Sequence, residues 1–101
     1  MLKQALVLPG QPGTLSVIIM DYRIDPHAPE TSASQLAAIL RDGITSGELQ
    51  PRQAIPSITY LVGETGLAIG TVRRAVGILV DEGLVYTVPG RGTFVRQGEG
   101  P

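Results

Sequence analysis

The sequence predicts a mainly α-helical domain closed by a small β-hairpin. Three observations carry that expectation. Apolar residues recur at helical spacing in three stretches between residues 31 and 82, and glycine and proline punctuate the gaps between them. Two β-branched runs near the C-terminus flank Pro89-Gly90-Arg91-Gly92. The length of 101 residues allows one small domain with a single core.

The N-terminal segment sets up this domain only loosely. Residues 1–23 read as a leader, with turn signals at Pro9-Gly10 and Pro12-Gly13 and a short strand-like run from Leu15 to Met20. Asp25-Pro26-His27-Ala28-Pro29 breaks any regular element, because proline fixes its own φ and restricts its predecessor. His27 in that stretch is expected to be exposed.

The first helix begins near Thr31, Ser32 or Ser34, any of which can cap free N–H groups. It places Leu36, Ile39, Leu40 and Ile44 on one face and stops near Gly47. A short second helix starts after Ile55-Pro56-Ser57, turns Leu61 and Val62 inward, and ends by Gly66. The third, over residues 70–82, carries Val72, Ala75, Val76, Leu79 and Val80 as an amphipathic series, and Gly83 closes it. A hairpin wing over residues 84–96 follows, with Gly90 and Gly92 supplying positive φ at the reversal. Residues 97–101 read as a tail. Tyr22 and Tyr86 are expected to pack, whereas Tyr60 fits either the core or a contact to a nucleic-acid backbone.

Helix, short helix, longer helix and terminal hairpin is the order of a winged helix-turn-helix, with Gly66 at the corner before the third helix. The same order also occurs in modules that bind proteins. More specific are the spaced residues themselves. Ile44, Gly47, Leu49 and Pro51 match the pattern I-x-x-G-x-L-x-P-G, and Pro56-Ser57 matches the end of L-P-S. Thr71-Val72-Arg73, Ala75, Leu79 and Gly83-Leu84-Val85 match T-V-R-x-A-x-x-x-L-x-x-x-G-L-V, and Pro89 to Val95 match P-G-x-G-T-F-V. On these residues the segment 24–96 resembles the DNA-binding domain of GntR-type bacterial transcription regulators. The resemblance implies a repressor-like regulator that binds double-stranded DNA. A homodimer on DNA is expected because two half-sites offset weak contacts by one domain. A cytoplasmic location is expected from the lack of targeting signals, and no cofactor is expected.

Three positions depart from the family pattern. Thr59 stands where the second helix usually carries a basic residue, and Ala68-Ile69-Gly70-Thr71 replaces S-R-T-T at the start of the third. Arg52 takes the place of the glycine after Pro51. These departures bear on affinity and sequence preference and leave the fold expectation intact.

Plotted at about 100° per residue, the third helix turns Arg74 away from the core, Arg73 onto one flank and Thr71 onto the other. Arg73 and Arg74 are therefore candidates for base or phosphate contacts in a major groove, against the plainer reading of a solvated helix face. Arg91, between Gly90 and Gly92 at the wing tip, is a candidate for a minor groove. Gly92 and Thr93 are candidate phosphate donors at the same edge, and Ser57 and Thr59 weaker ones at the second helix.

Charge supports this only locally. The chain carries eight basic and nine acidic residues, a net charge of −1. From Leu67 to Arg96, however, Arg73, Arg74, Arg91 and Arg96 face only Asp81 and Glu82. Four neutralised phosphates would give a log–log salt slope of about −3.6, so weak binding by a monomer is expected.

Other function classes find less support. With no cysteine and one histidine, thiolate zinc sites, disulfides and multi-histidine metal sites are excluded. Gly63, Gly66 and Gly70 loosely suggest a phosphate loop, but no lysine follows and no strand precedes them, and no catalytic set is spaced interpretably. An interaction module with weakened or lost DNA binding is the alternative, motivated by Thr59, Ile69 and a pI near 5.7. No apolar run is long enough for a membrane span or a secretory signal. Two expectations concern the ends. The five residues after Arg96 leave no room for a small-molecule effector domain in this chain, whether it is a fragment or a one-domain regulator, and Met20 is an alternative start to Met1.

Overall fold

The computed structural model describes residues 20–96. The strand-like run anticipated from Leu15 lies almost wholly outside them, as does the tail 97–101. Three helices are present: α1 (Ser32–Ser46), α2 (Ile58–Thr65) and α3 (Ile69–Asp81). A two-stranded antiparallel hairpin follows, β1 (Val85–Val88) and β2 (Gly92–Val95).

Helix α1 begins where a side chain can take over its first free N–H. The Thr31 hydroxyl accepts from the Ser34 N–H at 3.0 Å, and Gly47 in a left-handed conformation ends the helix. Gln35 then ties the proline-rich entry loop to the helix. Its side-chain oxygen accepts from the Asp25 N–H at 2.8 Å, and its amide donates to the Asp25 and Glu30 carbonyls at 2.9 and 3.0 Å. Helix α2 repeats the device: the Ser57 hydroxyl accepts from the Tyr60 N–H at 3.0 Å, and Gly66 closes the end.

Helix α3 packs mainly on α1 and then on α2. Leu36, Ala37 and Leu40 of α1 meet Val72, Ala75 and Leu79 of α3 in one core, which Leu49, Leu61, Val85 and Val95 complete. Met20 and Tyr22, ahead of Ile24, are also buried in that core. The Tyr22 ring stands edge-on to Tyr60, centroids 6.1 Å apart, and its hydroxyl donates to Met20 Sδ. Burial first, then the nearby Tyr60, Glu64 and Glu48, push the Tyr22 phenol well above its ordinary range, so it stays neutral. Tyr60 is thereby half-buried against the core edge. His27 is exposed, as expected.

The hairpin pairs Val85 with Val95, Tyr86 with Phe94, Thr87 with Thr93 and Val88 with Gly92. Its reversal is a type II turn: Pro89 presets the second position, Gly90 holds φ +80°, and the Arg91 N–H donates to the Val88 carbonyl at 2.9 Å. The sequence reading missed a third segment beside β2. The Arg52 N–H donates to the Val95 carbonyl at 2.7 Å, Val95 to Gln53 at 2.9 Å, and Ile55 to Thr93 at 2.9 Å, with an isolated bridge between Ala54 and Phe94. Residues 52–55 thus cover the otherwise open edge of the wing and seat Ile55 in the core.

Three details differ from the sequence expectation. Helix α3 spans Ile69–Asp81 rather than 70–82, because Ala68 already takes the extended cap conformation and Glu82 becomes the C-cap. Val80, assigned to the apolar series, is 39% exposed, since it falls at the edge of the stripe on the flank that carries Arg73. Arg52 is the one non-glycine among the described residues with positive φ, at +70°. That conformation costs an L-residue roughly 1–2 kcal/mol.

Candidate nucleic-acid interface

The outer face of α3 is built from what its core stripe leaves over. Val72, Ala75, Val76 and Leu79 are buried, which turns Arg73 and Arg74 outward, and both are exposed. Thr71 is half-buried and, with Arg74, lines a groove against the first turn of α1, beside Thr31, Ser32 and Ala33. On the opposite flank, Val76 forms the floor of a cleft of about 280 Å³ between α2 and the wing.

That cleft gathers four of the expected residues. Ser57 at the start of α2 meets Arg91, Gly92 and Thr93 of the wing across it. By helical angle Arg73 lies between the two groups, on the open surface of α3. Gly90 and Thr59 are exposed and line neither cleft. Two hydroxyls carry structural bonds as well: Ser57 caps α2, and Thr93 Oγ1 sits 3.2 Å from Thr87 Oγ1 across the hairpin.

Electrostatics separates the arginines into two kinds. Arg41 makes a two-pronged contact to Glu82, at 2.9 Å from Nε and 2.8 Å from Nη2. That hydrogen-bonded pairing holds the Glu82 carboxyl below its ordinary value and raises the Arg41 guanidinium. Arg23 pairs with Asp21 at 3.4 Å. Among the described residues, Arg73, Arg74 and Arg91 form no ion pair, and neither does Arg52 on the segment beside β2.

Arg96 does not join them, contrary to the expected four-arginine edge. Its guanidinium lies over the Tyr86 ring, 5.4 Å from the centroid, and it lines a hollow with Ile44, Leu49 and Leu84 at the far end of the wing from its tip. The hairpin pairing explains this: Arg96 follows directly on Val95, whose partner Val85 stands at the base of the hairpin, opposite the Gly90 turn. Tyr86 itself stacks on Phe94, with centroids 6.0 Å apart.

Ile69, which the sequence marks only as a departure from the family pattern, is the first residue of α3 and 49% exposed, more than any other large apolar side chain among the described residues. By helical angle it lies on the same flank as Arg73. Gly70 and Gly77 also lie on the outward side, and a Cβ at either would meet nothing within 4 Å.

No helix among the described residues is long and apolar enough to cross a membrane. The Asp81 and Glu82 carboxylates stand at the end of α3 remote from Ile69, and Glu82 is directed to α1 by Arg41.

Comparison with known proteins assigns this architecture. The family model "Bacterial regulatory proteins, gntR family" matches residues 32–95. The chain is 40% identical over 74 residues to the HTH-type transcriptional repressor NagR of Bacillus subtilis (strain 168), a match that covers 73% of this chain and 30% of NagR. The AraR DNA-binding domain, crystallised in complex with operator ORE1, superposes with a TM-score of 0.64 at 36% identity, covering 65% of this chain and 80% of that one. YtrA from Sulfolobus acidocaldarius, a GntR-family transcription factor, gives 0.72 at 32% identity, covering 78% and 83%. The chain therefore spans less than a third of NagR and most of the AraR and YtrA chains. From residue 32 to residue 95 it is a winged helix-turn-helix DNA-binding regulator domain, and it belongs to the gntR family of bacterial regulatory proteins.

Proposed function

We propose that this domain represses transcription by reading one half of an operator, with α3 in the major groove and the wing tip in the neighbouring minor groove. A single observation carries the reading: Arg73, Arg74 and Arg91 are exposed and unpaired among the described residues, while Arg23 and Arg41 are held by carboxylates. In this arrangement Arg73 makes the base contact, bidentate to a guanine, and Arg74 holds a phosphate beside the start of α1. Arg91 enters the minor groove, and Gly90, Gly92, Thr93, Thr71, Ser57 and Thr59 position the sugar–phosphate backbone. The AraR domain in complex with its operator and the repressor NagR support this assignment by similarity.

Three arginines per domain make a small electrostatic footprint. Even with each counted as one neutralised phosphate, the salt slope of one domain reaches at most about −2.7, against about −3.6 for a four-arginine edge. Two copies on an inverted repeat double it, and so a homodimer on DNA is part of the proposal.

Fluorescence anisotropy against a duplex selected from a random pool, at two salt concentrations, tests this. Arg73→Ala is expected to weaken binding by about 1–3 kcal/mol and relax preference at one position. Arg91→Ala should weaken all sequences more evenly. The exposed Ile69 and Val80 favour the other reading, a protein-binding module. If both arginine variants leave DNA binding unchanged, that module is the better description.

A further inference from the structure

Ile69 poses a problem that the arginines do not. An isoleucine at the start of the helix proposed to enter the groove leaves about half of its surface in water. It stands one turn before Arg73, and residues four apart on a helix share a face with their Cβ atoms roughly 5–6 Å apart. Helical side chains also lean toward the N-terminus, so Ile69 projects past the leading end of α3. The first residues of a recognition helix are the ones that meet base edges. Its surroundings there are small: Ala68 and Gly70 are both exposed, and a Cβ on Gly70 would meet nothing within 4 Å. About half of the Ile69 side chain is thereby left open to solvent.

We infer that Ile69 is a specificity-determining residue that packs against the C5-methyl group of a thymine, one or two base pairs from the guanine contacted by Arg73. The inference rests on the DNA-reading function proposed above. A major groove offers an isoleucine one apolar feature, the thymine methyl, which distinguishes T·A from the other pairs without any hydrogen bond. The separation follows from geometry. Four helical residues advance about 6 Å along the axis, and one base step is about 3.4 Å. An apolar contact beside a bidentate arginine also accounts for an exposed isoleucine on the flank that carries Arg73. A protein partner seated on Ile69 would also have to cover Arg73 and supply a carboxylate for its guanidinium.

Replacing thymine by deoxyuridine removes only the methyl group, and this makes the test clean. A duplex is selected from a random pool with the wild-type chain, and each thymine of a half-site is then exchanged singly for deoxyuridine. Wild type should lose about fourfold in affinity at one position near the guanine, the equivalent of one buried carbon at about 0.8 kcal/mol. Ile69→Ala should bind the thymine and uracil duplexes equally. Alanine is a better helix former than isoleucine and this site is exposed, so circular dichroism should show the variant folded.

A pool that yields no enriched sequence overturns the DNA-reading function and this inference with it. Enrichment with every uracil tolerated overturns the inference alone. So does an equal loss in wild type and Ile69→Ala, which would trace the effect to DNA shape. Unchanged DNA binding by Ile69→Ala, with loss of self-association in sedimentation, would assign the residue to a protein contact instead.

Discussion

Helices α1 and α3 are similar in length and share one core, yet their outer surfaces are finished differently. On α1 several polar groups have partners. Thr31 caps its start, Gln35 holds the entry loop with three hydrogen bonds, and Arg41 is clasped by Glu82. Helix α3 has no side-chain cap at Ala68, carries Gly70 and Gly77 over open space, and shows an unpaired Arg73 and Arg74 beside an exposed Ile69. Each of these features costs helix stability or leaves a charge in water. A helix left incomplete on its outward side, but packed as tightly as its neighbour on the inward side, fits a surface completed by a ligand.

The largest expected effect tests the half that the two helices share. Leu40 of α1 is fully buried against the α3 stripe. Leu40→Ala should cost about 2–5 kcal/mol of stability by leaving a cavity. In a domain this small that is a large part of the total, so chemical denaturation should show the variant substantially unfolded near 25 °C. A loss well below 1 kcal/mol would mean that the shared core is looser than its burial implies.

The half that differs is tested by filling in α3. Gly77 lies in mid-helix, half-buried, and the position of its missing Cβ is unobstructed. Gly77→Ala should therefore stabilise the isolated domain by about 1 kcal/mol, read as a rise in midpoint temperature. The same variant should bind a selected duplex more weakly, because the added methyl stands on the face proposed to approach the groove. Stabilisation with unchanged DNA affinity would confine the contact surface to the part of α3 that precedes Gly77.

How much of this was legible in the sequence follows the same division. The inward half has a period: Leu36 and Leu40, then Val72, Ala75, Val76 and Leu79, announce their faces by spacing alone. Caps and turns were equally readable at Thr31, Ser57 and Pro89-Gly90, because each residue type solves a local backbone problem. Residues 52–55 were not, since four residues between Pro51 and Pro56 carry too little alternation to mark a strand. Only the partner β2 reveals them. Arg52 is legible as a replacement for a glycine, whereas its +70° φ accompanies a backbone hydrogen bond to Val95 that only the folded hairpin supplies. Arg96 was grouped with the other arginines by sequence proximity, and its ring contact with Tyr86 depends on hairpin register. Val80 was misjudged because periodicity cannot locate the edge of a stripe.

The smallest effect concerns the one carboxylate that reaches from α3 back to α1. Glu82 ionises more readily than its ordinary value of 4.5 because Arg41 donates to it and stands charged beside it. A carboxyl whose value is depressed in the fold contributes stability above its unfolded value, and that contribution disappears as pH falls through the folded one. The pair is solvent-exposed, so the effect is modest and weakens further with salt. Wild type should exceed Glu82→Gln in midpoint temperature at pH 7. The difference should shrink once the pH drops below 4.5 and vanish when Glu82 is fully protonated. A gap that persisted in strong acid would mean that Glu82 serves as the C-cap of α3 through its backbone and packing, and that the Arg41 contact adds nothing to the closure of α3 on α1.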